Sequence, residues 1–148
     1  MCMAIGDFCP GRVLETAYLL ISKLGIPEKN SGYIAVVLRS NGRLVLHAQI
    51  GNCPEDKARK YRDLSLEKAE RVCTTGAISS WATRDPKKEK YGGGIAASRY
   101  AIGFSGMPEV ADEALAIVLA EQLGLLSPED AKNIIAISKN ECAAKLRS

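Results

Sequence analysis

A chain of 148 residues is long enough to close one hydrophobic core without disulfide or metal staples, and 47% apolar with 25% charged residues is a globular rather than a disordered composition. A net charge of +3, from 20 basic and 17 acidic side chains interspersed along the chain, excludes the footprint of a nucleic-acid-binding protein. The densest basic run, Lys87-Lys88-Glu89-Lys90, follows Asp85-Pro86 and reads as a solvated loop.

The start, Met1 to Asp7, has neither a basic segment nor an apolar stretch of signal-peptide kind, and no apolar run reaches the ~18 residues of a membrane span. The expectation is a cytoplasmic protein with one domain over residues 1–148 and no membrane partner. The first predicted helix covers about Arg12 to Leu24, where Val13, Leu14, Ala17, Tyr18, Ile21 and Leu24 recur at helical spacing before Gly25 and Pro27. Tyr33 to Leu38 and Leu44 to Ile50 then read as a β-hairpin turning at Asn41-Gly42, with the positive φ values of a type I′ turn. That register sets Val36 opposite His47 and Val37 opposite Leu46. Both faces of the hairpin are then largely apolar, so each needs cover from helices, a partner subunit or a ligand.

A charged loop over Pro54 to Arg62 is expected to precede a helix from Leu64 to Ala82, capped by Asp63 or Ser65 and ended by Arg84-Asp85-Pro86. Trp81 would close that helix, as an interface anchor or a core tryptophan. Gly92-Gly93-Gly94 leads into one weak strand region, Ile95 to Ser105. A helix from Pro108 to Leu123 follows, with Glu109, Asp112 and Glu113 near its positive end, and a last helix is capped by Ser127.

Chemistry is sparse. His47 is the one histidine, the glycine run lacks the lysine of a phosphate-binding loop, and Gly103-Phe104-Ser105-Gly106 lacks the spacing of a nucleophile elbow. Five cysteines, an odd number with no C-x-x-C pair, spell neither a zinc site nor a complete disulfide framework. Gly93 and Gly94 permit close backbone approach to an anion, or serve turn geometry alone. Ser105 and Gly106 stand where a strand meets a helix start, so their N–H groups can bind a carboxylate or propionate, or simply cap the helix. His47 could supply one axial ligand to a haem iron; the plainer reading is a hydrogen-bonded interior or interface histidine.

In chain order come the hairpin, a helix with Leu66-Glu67-Lys68-Ala69, the glycine cluster, Ile102-Gly103-Phe104-Ser105-Gly106-Met107-Pro108, and Asp112-Glu113 on a helix. This series resembles the family of GlcG, haem-binding protein S and the C-terminal domain of PduO, over roughly Ile34 to Leu123, with the serine-to-acid segment its most specific part. The resemblance implies an α/β (α+β) fold: a profilin-like antiparallel sheet of about five strands flanked by helices, here with an extra C-terminal helix. It also implies homo-oligomers that bind haem or corrinoid. Onto this chain it carries Lys68, Asp112 and Glu113 as ligand-binding residues beside Gly93, Gly94, Ser105 and Gly106. Lys68 shares its helix with Glu67, Glu70 and Arg71, the pattern of a salt-bridged surface lysine, and Asp112 and Glu113 also suit the helix dipole. The leading expectation is a small-molecule-binding protein for a tetrapyrrole or anion. A ligand-free interaction module, and an enzyme acting on a small organic acid or degrading haem, stand beside it.

Overall fold

The computed structural model describes residues 8–147. Helix α1 (Pro10–Leu24) has proline in its first turn and ends at Gly25, whose left-handed φ of 59° lets its N–H reach the Ile21 carbonyl. Strands β1 (Gly32–Leu38) and β2 (Leu44–Ile50) follow, then α2 (Glu55–Thr75), β3 (Gly94–Ala97), β4 (Tyr100–Ser105), α3 (Glu109–Gln122), α4 (Pro128–Ser138) and α5 (Glu141–Arg147). The strands form one antiparallel sheet in the order β2-β1-β4-β3, four strands rather than about five. No helix among the described residues is long and apolar enough to cross a membrane.

The hairpin exists, but its register differs from expectation. His47 pairs with Ala35 and Leu46 with Val36, and a bulge between Val36 and Val37 brings Val37 opposite Leu44. Gly42 alone turns left-handed, at φ 71°, while Asn41 does not. The Gly42 N–H reaches back to the Leu38 carbonyl at 2.8 Å and Asn41 Oδ1 accepts from the Arg43 N–H at 2.9 Å, closing a longer loop than a type I′ turn. The longer loop and the bulge together shift the pairing by one and send His47 to the other face.

Both sheet faces are covered by this chain's own helices. On one side Ala35, Val37, Ala96 and Ala101 meet Ala69 and Val72 of α2. On the other, Ile34, Val36, Ile95, Ile102 and Phe104 pack against α1 and the central helix α3, which is buried continuously from Ala111 to Ala120. Helix α3 is in turn wrapped by α1, α4 and α5. Within the hairpin this cover is nearly complete over β1, while β2, at the sheet edge, stays part-exposed with Leu44 46% exposed.

Helix α2 begins nine residues earlier than expected and ends at Gly76, so Glu55 to Arg62 is helical and 76–82 is not α-helical. Its first two turns are polar because they project beyond the sheet, and its buried residues begin at Ser65. Beyond Gly76 the chain folds back in two short 3₁₀ turns, Ser80–Thr83 and Pro86–Lys88. Trp81 is thus half-buried on a 3₁₀ turn rather than at a helix end, packed against Gly92 with the Arg84 guanidinium 4.3 Å from its ring centre. The weak strand expected over Ile95 to Ser105 is a hairpin, β3–β4, turning at Ser98-Arg99 with Ser98 at φ 57° and its carbonyl bound by Arg39 at 2.8 Å.

Candidate functional site

The site is built where α2 crosses β3 and β4. A Cβ at Gly103 would lie 2.2 Å from the Ser65 carbonyl oxygen, and one at Gly94 2.7 Å from that of Lys68, so glycines let the helix backbone rest directly on the sheet. This close crossing carries Lys68 inward. It is 1% exposed, not a surface lysine, and its Nζ donates to the Phe104 carbonyl at 2.8 Å and to Asp112 Oδ2 at 3.0 Å. Gly93, at φ 123°, makes room for the ammonium: a Cβ there would stand 2.8 Å from Lys68 Nζ and 2.8 Å from the Phe104 oxygen. Arg71, also expected on the exposed face, is buried too, and holds the 3₁₀ segment through the carbonyls of Ser80, Thr83 and Tyr91.

Asp112 is shared between Lys68 and the start of its own helix, where Oδ1 accepts from the Met107 N–H at 2.9 Å. Burial pushes its carboxyl up to about 6, against the downward pull of the Lys68 ammonium and the Met107 N–H. Glu109, one turn earlier, takes the Gly92 N–H at 2.8 Å and the Arg84 guanidinium. The first-turn acids thus complement the helix dipole and pin the glycine cluster beside it.

A cleft of about 240 Å³ opens against this corner, lined among others by Lys29, Lys60, Tyr61, Leu64, Lys68, Ser105, Gly106 and Asp112. Of the seven residues expected at a ligand, four, Lys68, Ser105, Gly106 and Asp112, line it. Gly93 and Gly94 lie just behind, shaping the seat of Lys68. Glu113 does not line it. Fully buried, it accepts from Ser79 Oγ at 2.5 Å, from Asn140 Nδ2 at 2.9 Å and from the Ser138 hydroxyl, which makes it a clamp between α3, the 3₁₀ segment and the α4–α5 junction. His47 stands outside the cleft as well. Its Nε2 lies 2.9 Å from the Arg62 carbonyl and 3.2 Å from Ser65 Oγ, so this is a half-buried histidine hydrogen-bonded to α2.

Two donors remain unspent. Ser105 is 3% exposed and its hydroxyl has no hydrogen-bond partner, yet no sealed, unpaired side-chain polar atom exists among the described residues, so that hydroxyl keeps its residual exposure toward the cleft. Lys68 has three N–H donors and two acceptors. Lys29, Tyr61 and Leu64 complete the cleft and have no distinguishing motif in the sequence. Tyr61 reaches it because α2 starts at Glu55, where the run of charges reads as a loop, and Lys29 comes from the connection between α1 and β1. No group of three or more metal-ligating side chains occurs among the described residues.

No protein-family model matches the chain, and no curated protein matches it. Solved structures do share its fold. A PduOC:heme complex is 15% identical with a TM-score of 0.57, over 77% of this chain and 90% of that one. The Klebsiella pneumoniae protein ORFY, of family DUF336, is 17% identical with a TM-score of 0.53, over 78% and 90%. The protein Ybr137w is 16% identical with a TM-score of 0.55, over 83% and 82%. The fold-level likeness implied by the sequence motifs is therefore present: a mixed α/β architecture with an antiparallel sheet flanked by helices.

Proposed function

We propose that this chain binds a small anionic ligand in the cleft between α2 and the start of α3. The observation that carries the reading is the pair of unspent donors, the Ser105 hydroxyl and one N–H of Lys68, in a corner where the neighbouring carboxylates are already engaged. A hydrogen bond to a charged acceptor contributes about 1.5–3 kcal/mol, so an anion seated there gains from both donors. Isothermal titration of the wild type against Ser105→Ala and Lys68→Met with small organic acids tests it. The expected result is binding by the wild type that either substitution weakens by about tenfold or more, and equal affinities for all three proteins would end the proposal.

A tetrapyrrole is the second reading, supported by the fold shared with a PduOC:heme complex. The cleft residues fit a propionate, which Lys68 and Ser105 would hold. They do not fit ligation of haem iron by His47, which lies outside the cleft with Nε2 already hydrogen-bonded. At about 240 Å³ the cleft is also smaller than the roughly 300–1,000 Å³ of pockets that enclose drug-sized ligands, so haem or corrinoid would be gripped by an edge. Titration with haemin decides this reading: a saturable Soret shift lost in Lys68→Met supports it, and no shift at micromolar haemin retires it. Self-association belongs to the same proposal, supported by Tyr18 and Leu19, 55% and 59% exposed on the outer side of α1.

A further inference from the structure

Resting on the cleft reading above, we infer that the ligand is a small monocarboxylic acid with a compact apolar body, rather than a phosphorylated compound or a neutral molecule. Charge sets the first limit. Three lysines, Lys29, Lys60 and Lys68, line the cleft against two carboxylates, Glu109 and Asp112, leaving one surplus positive charge. Lys68 is paired with Asp112 and Lys60 with Glu89 outside the cleft, so the half-buried residue Lys29, which has no ion-pair partner among the described residues, carries the charge in excess. One uncompensated cation matches one negative charge. A phosphate dianion would bring a second charge beside Asp112 and Glu109, where like-charge repulsion works against it.

The donors set the second limit. Ser105 offers one O–H, and the Lys68 ammonium, bonded to the carbonyl of the preceding residue Phe104, offers one N–H, and both residues line the cleft. Two adjacent donors suit the two oxygens of a carboxylate, and the Met107 N–H that a larger oxyanion would seek is already given to Asp112. The remaining wall is apolar or aromatic, from Tyr61, Leu64, Tyr91 and Met107, which favours a hydrophobic body over a sugar or polyol.

The test uses the full chain, labelled with ¹⁵N, and three probes: benzoate, its uncharged near-isostere benzamide, and inorganic phosphate. Benzoate is expected to shift the amide resonances of Ser105, Gly106 and Glu109, and to bind at least tenfold more tightly than benzamide or phosphate. Lys29→Met, on the cleft rim and outside the core, and Ser105→Ala are each expected to weaken benzoate about tenfold, with thermal melts confirming that both variants fold. Benzamide binding as tightly as benzoate at the same residues overturns the carboxylate inference while leaving the cleft reading intact, as does phosphate binding more tightly than benzoate. Benzoate shifts confined to residues away from the cleft, or no shift with any probe, overturn the cleft reading itself.

Discussion

Lys68 and Asp112 form an ion pair with both side chains almost sealed from solvent, 3.0 Å apart. Breaking such a pair from one side strands a charge and typically costs 3–5 kcal/mol, but Asp112 can escape by taking up a proton because burial has raised its carboxyl to about 6. Its folded-state value lies above the unfolded one, near 3.9, so the stability it contributes is full below about pH 4 and falls as pH rises through about 6, by roughly 1.4 kcal/mol per pH unit within that window. Removing the ammonium raises the carboxyl further. Lys68→Met is therefore expected to cost little at pH 5 and several kcal/mol at pH 7.5 by urea denaturation, and a deficit independent of pH would refute this account. Gly93→Ala is expected to cost about 1–3 kcal/mol, since φ 123° is foreign to alanine and its methyl would meet both the ammonium and the Phe104 carbonyl. It should also weaken benzoate binding, because Lys68 has to move; unchanged affinity would show that Gly93 serves the turn alone. That Lys68 is buried was not visible in its neighbours. Glu67, Glu70 and Arg71 present a solvated pattern, but Lys68 is covered by β4, Gly93 and the start of α3, and Arg71 by the segment folded back after Gly76, tertiary effects that helical spacing does not encode.

At the level of elements, α1, the β1–β2 hairpin, α3 and the Ser127-capped α4 were legible because each carries its own periodicity or punctuation. The elements that were misplaced lack such signals. The polar first turns of α2 bury nothing, Ser98 turns left-handed without being glycine or asparagine, and the hairpin loop takes a single left-handed residue where its sequence allows two. Glycine at position 42 is needed for backbone reasons alone, since a Cβ there meets nothing within 4 Å. Gly42→Ala is expected to lose about 1–2 kcal/mol with no change in ligand affinity, measured by denaturation and titration on the same sample. Helix α5 was missed entirely, and its docking depends on Asn140, which donates to the Val110 carbonyl and to Glu113 while capping Ala143. Glu113→Ala leaves three side-chain donors without their acceptor and is expected to cost about 3 kcal/mol or more, with amide exchange accelerated across α4 and α5 ahead of the sheet. Uniform acceleration through the whole chain would mean that the clamp is part of the global core rather than a local fastening.

For the whole molecule, the decisive feature is that the sheet is closed on both faces from within one chain. Alanines 35, 69, 96 and 101 let α2 lie tight against one face, and α3, buried on every side, fills the other. Nothing in this core waits for a second copy, although Tyr18 and Leu19 offer an apolar patch through which folded copies can meet. Association of that kind stabilises by mass action on top of a monomer that is already folded, while an obligate oligomer shares its core between subunits and has no stable folded monomer. Tyr18→Glu and Leu19→Glu are therefore expected to sediment as smaller, still folded species whose midpoint of urea unfolding stays constant over a hundredfold range of protein concentration. A midpoint that climbs with concentration, together with unfolding of those two variants, would show that α1 completes its fold only against a neighbour and that the intrachain closure is insufficient.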